Sequence, residues 1–381
     1  MKMTNVGSTH NRFNLATIQI IKSTAGIIRN LARGYIMLLI CLLFYTTHAD
    51  TQTRLPVNVI LDTDMATDVD DVGALVTLLS LEDLGEAKVL AVGVSVQNDW
   101  VAFCVDAINT FYGRPEIPIG ATKSGPEHDS RFTRGIAEEY PQSRGWNSVD
   151  DVPEVIDVYR EVLSQQPDNS VTFVTIGTKT NLPALLKSGP CQHSDLNGRD
   201  LVAKKVKRMV SMAGSFGSER ECGRRGREHN LHADLQASKD ALTGPNKWPT
   251  PVLFSPFHVG FAIRTGIGLK ALPEENIIRR AYNLYYDNDI KPHPSYDQCA
   301  VLHAVRGFDG GPAEDYYEIK GPGWLTLFGE GDGFEGGWNG FEYDPNGLHT
   351  YKNEDIETFD ADHIASEIEE LMKHNPYGRN P

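Results

Sequence analysis

The chain has 381 residues, 40% hydrophobic and 23% charged, which fits an ordinary globular protein with ample material for a deep core. Its formal net charge is −15; the first 49 residues carry Lys2, Arg12, Lys22, Arg29 and Arg33 and no acid, so the rest, −15 less those five, stands at −20. A body of that charge repels phosphate backbones and excludes nucleic acid as a partner, while solubility alone is the plain reading of the acidity.

Residues 1–49 read as a signal or targeting segment and residues 50–381 as the folded domain. The apolar run Tyr35–Tyr45, "YIMLLICLLFY", has eleven residues. That suits the hydrophobic region of a secretory signal and is short for a membrane span of ~20 residues. Arg29 and Arg33 precede it, and Thr47 and Ala49 give a small-residue cleavage pattern. The expectation is a secreted or extracellular protein with no stable membrane anchor after cleavage. An organellar transit peptide is the alternative, because the segment is basic, contains Ser and Thr, and lacks acids.

After the leader, short apolar runs alternate with amphipathic ones. Val57–Leu61 reads as a buried strand and Val72–Leu81 as the helix after it. Lys88–Val96 is the next strand, and Val101–Tyr112 a helix closed by Gly113 with Pro115 beyond. Ile117–Ile119 is a short strand, Val155–Gln165 a helix, Val171–Ile176 a strand and Leu182–Lys187 part of a helix. Val206–Met212 and Pro251–Phe254 are strands. This rhythm predicts an α/β single domain, a mostly parallel sheet with helices on both faces, with ligands at the carboxyl ends of the strands. The Gly-rich stretch Gly321–Gly347 reads as hairpins and loops at the domain edge. Of the four cysteines beyond the leader, Cys191 and Cys222 lie in polar stretches and are the favoured pair. Cys104 and Cys299 lie in apolar helical patterns and read as buried thiols.

The first strand ends in "DTDMATDVDD", with Asp62, Asp64, Asp68, Asp70 and Asp71 inside ten residues. Carboxylates crowded at the end of a buried strand do not all stay ionised unless a positive charge is shared among them. Oxygen ligands favour Ca²⁺ or Mg²⁺. A solvated acidic turn capping the helix from Asp70 is the plain alternative, but a cap needs one Asp. An EF-hand register fails, since Thr67 and Gly73 stand where Gly and Glu are required. An Asp-x-Asp phosphatase is a weaker rival, because Ala66 stands where Thr or Val is usual.

The same stretch resembles the N-terminal signature of the inosine-uridine preferring nucleoside hydrolases. Three further segments resemble that family in the same order. They are "VTFVTIGTKTNLPALL" from Val171, "MVSMAGSF" followed by "REHNLHADLQA", and "HPSYDQCAVLHAV" from His293. The resemblance implies Ca²⁺ at the floor of a ribose pocket, held by the carboxylates of Asp64, Asp71 and Asp297 and the backbone carbonyl of Thr180. It implies that Asp64 is the general base, that Asp70 holds a ribose hydroxyl, and that Glu228 and Asn230 grip the far side of the ribose. Asn98 matches an asparagine after the second strand. Self-association is a further expectation by resemblance.

The chain departs from the family pattern. Two more residues separate Asp64 from Asp70, which makes Asp68 an extra carboxylate. Tyr296 stands where a leaving-group histidine is common, and Cys222 occupies the spacing of a usual asparagine. His128, His229, His293 and His303 are replacement candidates for the acid, and Trp100 and Trp146 for stacking on a base, although each such residue is more often packing than catalyst. The implied activity is Ca²⁺-dependent hydrolysis of ribonucleosides to free base and ribose, in the service of purine or pyrimidine salvage. A relative that binds a nucleoside or ribose without turnover is the alternative.

Overall fold

Strand β1 (Val57–Thr63) shows how the sequence builds two faces. Successive side chains alternate across a strand. Val59 and Leu61 enter one hydrophobic core, and Ile60 enters another on the opposite face. Both faces are covered, so Val59, Ile60 and Leu61 form an unbroken apolar run rather than an alternation.

The computed structural model describes residues 54–216, 227–329, 337–354 and 359–376. After β1 come β2 (Ala87–Val94), β3 (Ile119–Ala121), β4 (Val171–Thr175), β5 (Val206–Met212) and β6 (Val252–Ser255). A two-residue pair follows, β7 (Arg264–Thr265) with β8 (His293–Pro294), antiparallel and separate from the main sheet. The chain then adds β9 (Glu318–Phe328), β10 (Trp338–Tyr343) and β11 (His349–Asn353). The main sheet has nine strands in the order β10-β9-β11-β6-β5-β4-β1-β2-β3. From β3 to β11 all neighbours are parallel; β9 runs antiparallel to both β11 and β10. The Gly-rich stretch thus supplies a hairpin at the sheet edge, as expected, and β11 then returns into the parallel part.

Strand order reverses beside β1, which sits between β2 and β4. Crossovers leave that point in opposite directions, so a crevice opens at the carboxyl ends of β1 and β4. One core packs Leu75, Leu78, Val105, Val301 and Ile368 on one face, and the other packs Tyr159, Phe173, Leu185 and Trp248. The helix Asp70–Asp83 is buried from Asp70 to Leu81. It is a central element rather than a surface one, which accounts for its lack of a polar face.

Cys104 and Cys299 are buried free thiols. Cys222 and the leader lie outside the described residues; the Cys191 sulfur accepts a hydrogen bond from Arg160 Nε at 3.0 Å. Among the described residues no helix is long and apolar enough to cross a membrane.

The close approach of β1 and β4 beyond their last paired residues depends on Gly177. A Cβ there would lie 2.4 Å from the Asp64 backbone nitrogen and 2.5 Å from the Ser95 hydroxyl. Gly177→Ala should therefore cost about 1–3 kcal/mol of stability through overpacking. Gly189→Ala, where a Cβ meets nothing within 4 Å, should stay within about 0.5 kcal/mol. Urea unfolding of the two variants measures the difference; equal midpoints would show that the crevice floor yields freely.

Candidate active site

At the end of β1 two aspartates of the same parity part company because the strand stops between them: Asp62 is its penultimate residue and Asp64 lies beyond its last. Asp62 lies on the Ile60 side and is consumed by structure: it accepts from Tyr159 Oη at 2.6 Å, Asn181 Nδ2 at 2.7 Å and Thr175 Oγ1 at 3.1 Å. Burial raises its pKa to about 6, against the pull of those bonds. Thr63 points to the other side, where its hydroxyl donates to Asp71. Asp64, one residue past the strand, faces a cavity of about 570 Å³.

That cavity brings together Asp64, Asp70, Asp71, Glu228, Asn230 and Asp297. Asp70 and Asp71 open the helix Asp70–Asp83, and Asp297 sits in the first turn of the helix Tyr296–Arg306. The Asp297 backbone N–H donates to Asp70 Oδ2 at 3.1 Å, so two helix N-termini converge on one set of carboxylates. The helix at Asp70 has no side-chain cap at Val69, which removes capping as the reason for the cluster. Carboxylate oxygens of Asp70, Asp71 and Asp297 lie within 4.8 Å of one another. All four aspartates are nearly sealed from solvent, none more than 4% exposed. Burial, then mutual repulsion, pushes Asp70 up to about 8 and holds Asp71 and Asp297 well above the usual carboxylate range. Asp64 is raised to about 6, mainly by burial.

Three negative groups cannot share that space ionised without a cation. An all-oxygen donor set suits a hard divalent ion, and the chemistry of the residues present fits one. Lys179, fully buried, lies just behind the cavity lining. Its ammonium donates to the Gly177 carbonyl at 2.8 Å, the Met212 carbonyl at 3.2 Å and Thr175 Oγ1 at 3.3 Å. Burial lowers its pKa, while Glu228, Asp62, Asp64 and Asp297 oppose that shift. The sequence gives no hint of this, because lysine is rarely buried.

Glu228 caps the short helix His229–His232. Its two oxygens accept from the backbone nitrogens of Asn230 at 2.7 Å, Leu231 at 3.1 Å and Gly214 at 3.2 Å. Burial still raises it to about 7. Asn230 Nδ2 donates to the Ile176 carbonyl at 2.6 Å, so the pair is tied to the ends of β4 and β5.

Two expected site residues lie elsewhere. Asn98 is outside the cavity: its Nδ2 donates to the His128 carbonyl at 2.6 Å and its Oδ1 accepts from Trp100 N at 2.8 Å. Both ends of the amide hold a loop and a helix start. Thr180 also lines no part of the cavity; its hydroxyl donates to Asp234 Oδ2 at 2.8 Å. Of the four histidines, His128 Nδ1 and His229 Nε2 lie 3.7 and 4.0 Å from Asp64 Oδ2. His293 Nε2 lies 2.7 Å from Asp68 Oδ1, which gives the extra carboxylate a partner. His303 is buried against Phe308 and Tyr317, on a part of its helix remote from the cavity, and is a core residue.

Trp100 and Trp146 pack on Phe103 and not in the cavity. The aromatic wall is instead Phe257 and Tyr296, stacked with centroids 4.9 Å apart at 25°. Phe257 follows the carboxyl end of β6. That position in a parallel sheet is the signal that could have found it.

The family model described as "Inosine-uridine preferring nucleoside hydrolase" matches residues 59–322. No curated protein matches the chain by sequence. Three solved structures share the fold. The inosine-guanosine nucleoside hydrolase IG-NH superposes with TM-score 0.59 at 19% identity, over 83% of this chain and 98% of its own. A purine-preferring ribonucleoside hydrolase from Gardnerella vaginalis gives 0.58 at 17%, over 83% and 99%. The plant nucleoside hydrolase PpNRh1 gives 0.56 at 17%, over 85% and 100%.

The raised carboxylates set a pH test. A carboxyl that ionises at 3.8 unfolded and at about 6 or about 8 folded stabilises the fold below 3.8 and loses that contribution as pH rises through the folded value. A bound divalent cation reverses the loss by replacing the protons. The gain in Tm on adding millimolar Ca²⁺ should therefore grow from about pH 5 to about pH 8. Thermal unfolding with and without the ion at each pH isolates the cluster, since other groups titrate alike in both. A gain that is absent, or flat across the range, would show that the carboxylates do not share a cation.

Proposed function

Because the chain belongs to the inosine-uridine preferring nucleoside hydrolase family and is an N-glycosyl hydrolase, we propose that it splits ribonucleosides into free base and ribose in a Ca²⁺-dependent reaction. The observation that carries this reading is the meeting of Asp64, Asp70, Asp71 and Asp297 at one end of a cavity whose other wall is Phe257 and Tyr296. A ribose is polar and a nucleobase is flat and apolar-faced. The cavity offers acids for the first and an aromatic face for the second.

Cleavage of the N-glycosidic bond develops positive charge on the ribose ring. Buried carboxylates fixed before the reaction stabilise that charge strongly, because little solvent screens them. Asp64 serves as general base toward the attacking water. Asp70 holds a ribose hydroxyl, and Glu228 with Asn230 fixes the far side of the sugar. Both Glu228 oxygens are already oriented by backbone donors, so the grip is preorganised. Asp64, Asp71 and Asp297 would hold the ion; the Thr180 carbonyl, expected as a further ligand, belongs to a residue that does not line the cavity. When bound, Ca²⁺ supplies a Lewis-acid charge that eases ionisation of the attacking water. Secretion is the part of the proposal that rests on the leader alone: five basic residues, no acid and an eleven-residue apolar run.

Tyr296 stacks on Phe257 in the place of the usual acid, so leaving-group protonation is the step in which this chain differs most from its family. A relative that binds without turnover would share every feature above except rate. Purified protein mixed with inosine, uridine, a nitrophenyl riboside and a nucleotide, with and without a Ca²⁺ chelator, separates the readings. Chelator-sensitive release of reducing sugar is expected. Phosphate release from the nucleotide would favour the phosphatase rival, and binding without release the inactive relative. Asp64→Asn should lower turnover at least ~100-fold, the scale of a general base; a near-native rate would remove Asp64 from the mechanism.

A further inference from the structure

We propose that Asp64 Oδ2, His128 Nδ1 and His229 Nε2 form a second metal site, for a borderline divalent ion of the Zn²⁺ or Co²⁺ class, beside the all-oxygen cluster. The three donor atoms lie within 4.8 Å of one another, with 3.7 Å from Asp64 Oδ2 to His128 and 4.0 Å to His229. Those separations exceed a hydrogen bond. They approach the distance of about 3.4 Å expected between two donors that each bind one tetrahedral ion at about 2.0–2.2 Å.

Two of the donors are also unsatisfied. Asp64 is 3% exposed, and its Oδ2 has no hydrogen-bond partner; His128 Nδ1 is buried and equally unpaired. Buried polar atoms are almost always paired, and an orphan costs the desolvation of that atom. One ion between them would satisfy both. The rings are not stacked: His128 and His229 have centroids 5.3 Å apart and planes tilted by 46°, while one nitrogen of each lies within 4.8 Å of the other and of an Asp64 oxygen. His229 is partly exposed on the cavity side, which gives an ion a path in.

The His128 loop is held for this task. Asn98 Nδ2 donates to its carbonyl at 2.6 Å, and its own N–H donates to the Gln97 carbonyl. Asn98, expected at the ribose, is thus a positioning residue for a metal-ligating histidine. Outer contacts of this kind fix ligand geometry. The donor chemistry separates the two sites. Imidazole nitrogen with one carboxylate selects Zn²⁺, Co²⁺ and their neighbours, whereas Asp70, Asp71 and Asp297 offer only oxygen and suit Ca²⁺. Asp64 stands between the sets and is able to serve both with its two oxygens.

The test uses the protein saturated with Ca²⁺ and titrated with Co²⁺, without any substrate. One equivalent of Co²⁺ should bind, with visible absorption of a nitrogen-ligated ion, while Ca²⁺ stays bound by metal analysis. His128→Ala and His229→Ala should each weaken Co²⁺ binding at least ~10-fold, and Asn98→Ala by ~10–100-fold, without loss of Ca²⁺. Zn²⁺ should bleach the absorption by competition. Co²⁺ that displaces Ca²⁺ one for one, or whose affinity and spectrum are the same in both histidine variants, would overturn the site. Far-UV circular dichroism of the variants confirms folding, and His229 is exposed enough to be replaced without harm to the core. Because no turnover is read, failure here is separate from failure of the hydrolytic reading.

Discussion

The repulsion among buried carboxylates governs this molecule. Asp70, Asp71 and Asp297 come from chain segments more than 220 residues apart, yet their oxygens lie within 4.8 Å. Nothing in a hydrophobic core favours such a meeting. It persists because the surrounding fold leaves the acids no alternative. The helix at Asp70 and the helix at Tyr296 pack so closely that a Cβ on Gly73 would lie 2.3 Å from Gln298 Nε2. Thr63 fixes Asp71, and the Asp297 amide fixes Asp70. Two helix N-termini and one buried ammonium, Lys179, contribute positive potential around the acids. These partial charges reduce the repulsion without removing it, as the raised pKa of every member shows.

Much of the fold was legible because its periodicities are clean. Strands β1, β2, β4 and β5 are apolar runs between turn residues, and each lies within two residues of its expected bounds. The crevice at β1 followed from the β-α-β rhythm once strand order was known. Helices Thr133–Glu139 and Ala361–Met372 were not read. The first is a short element with few apolar residues, and the second hides Ile364, Ile368 and Met372 among six polar residues.

The site was legible where acids interrupt apolar sequence, and illegible where function depends on partners across the fold. Asp62 and Asp64 look equivalent in "DTDMATDVDD". Only the positions of Tyr159, Thr175 and Asn181 across the fold show that the first is structural. Asn98 is a sugar ligand only by resemblance to the family's asparagine after the second strand, and both ends of its amide are spent on backbone. Phe257 and Tyr296 are 39 positions apart and meet only through the packing of Gly260 beside the Tyr296 backbone. No local pattern encodes that.

Asp68 shows how an extra carboxylate is absorbed at such a site. It brings a fifth acid to the rim of a cluster that already repels itself, with an oxygen within 4.8 Å of one of Asp70. Asp68 turns toward solvent, one third exposed, and its Oδ1 lies 2.7 Å from His293 Nε2 and accepts from Val69 N at 2.8 Å. His293 in turn shares a hydrogen bond of 2.5 Å with Tyr286 on its other nitrogen, which orients the ring toward the acid. The short pairing of β7 with β8 places His293 three residues before Tyr296. The same turn therefore delivers the partner of the extra carboxylate, the aromatic wall and Asp297. The fifth acid is tolerated because the opposite end of the chain supplies its counter-group, His293, at the point where that chain enters the site.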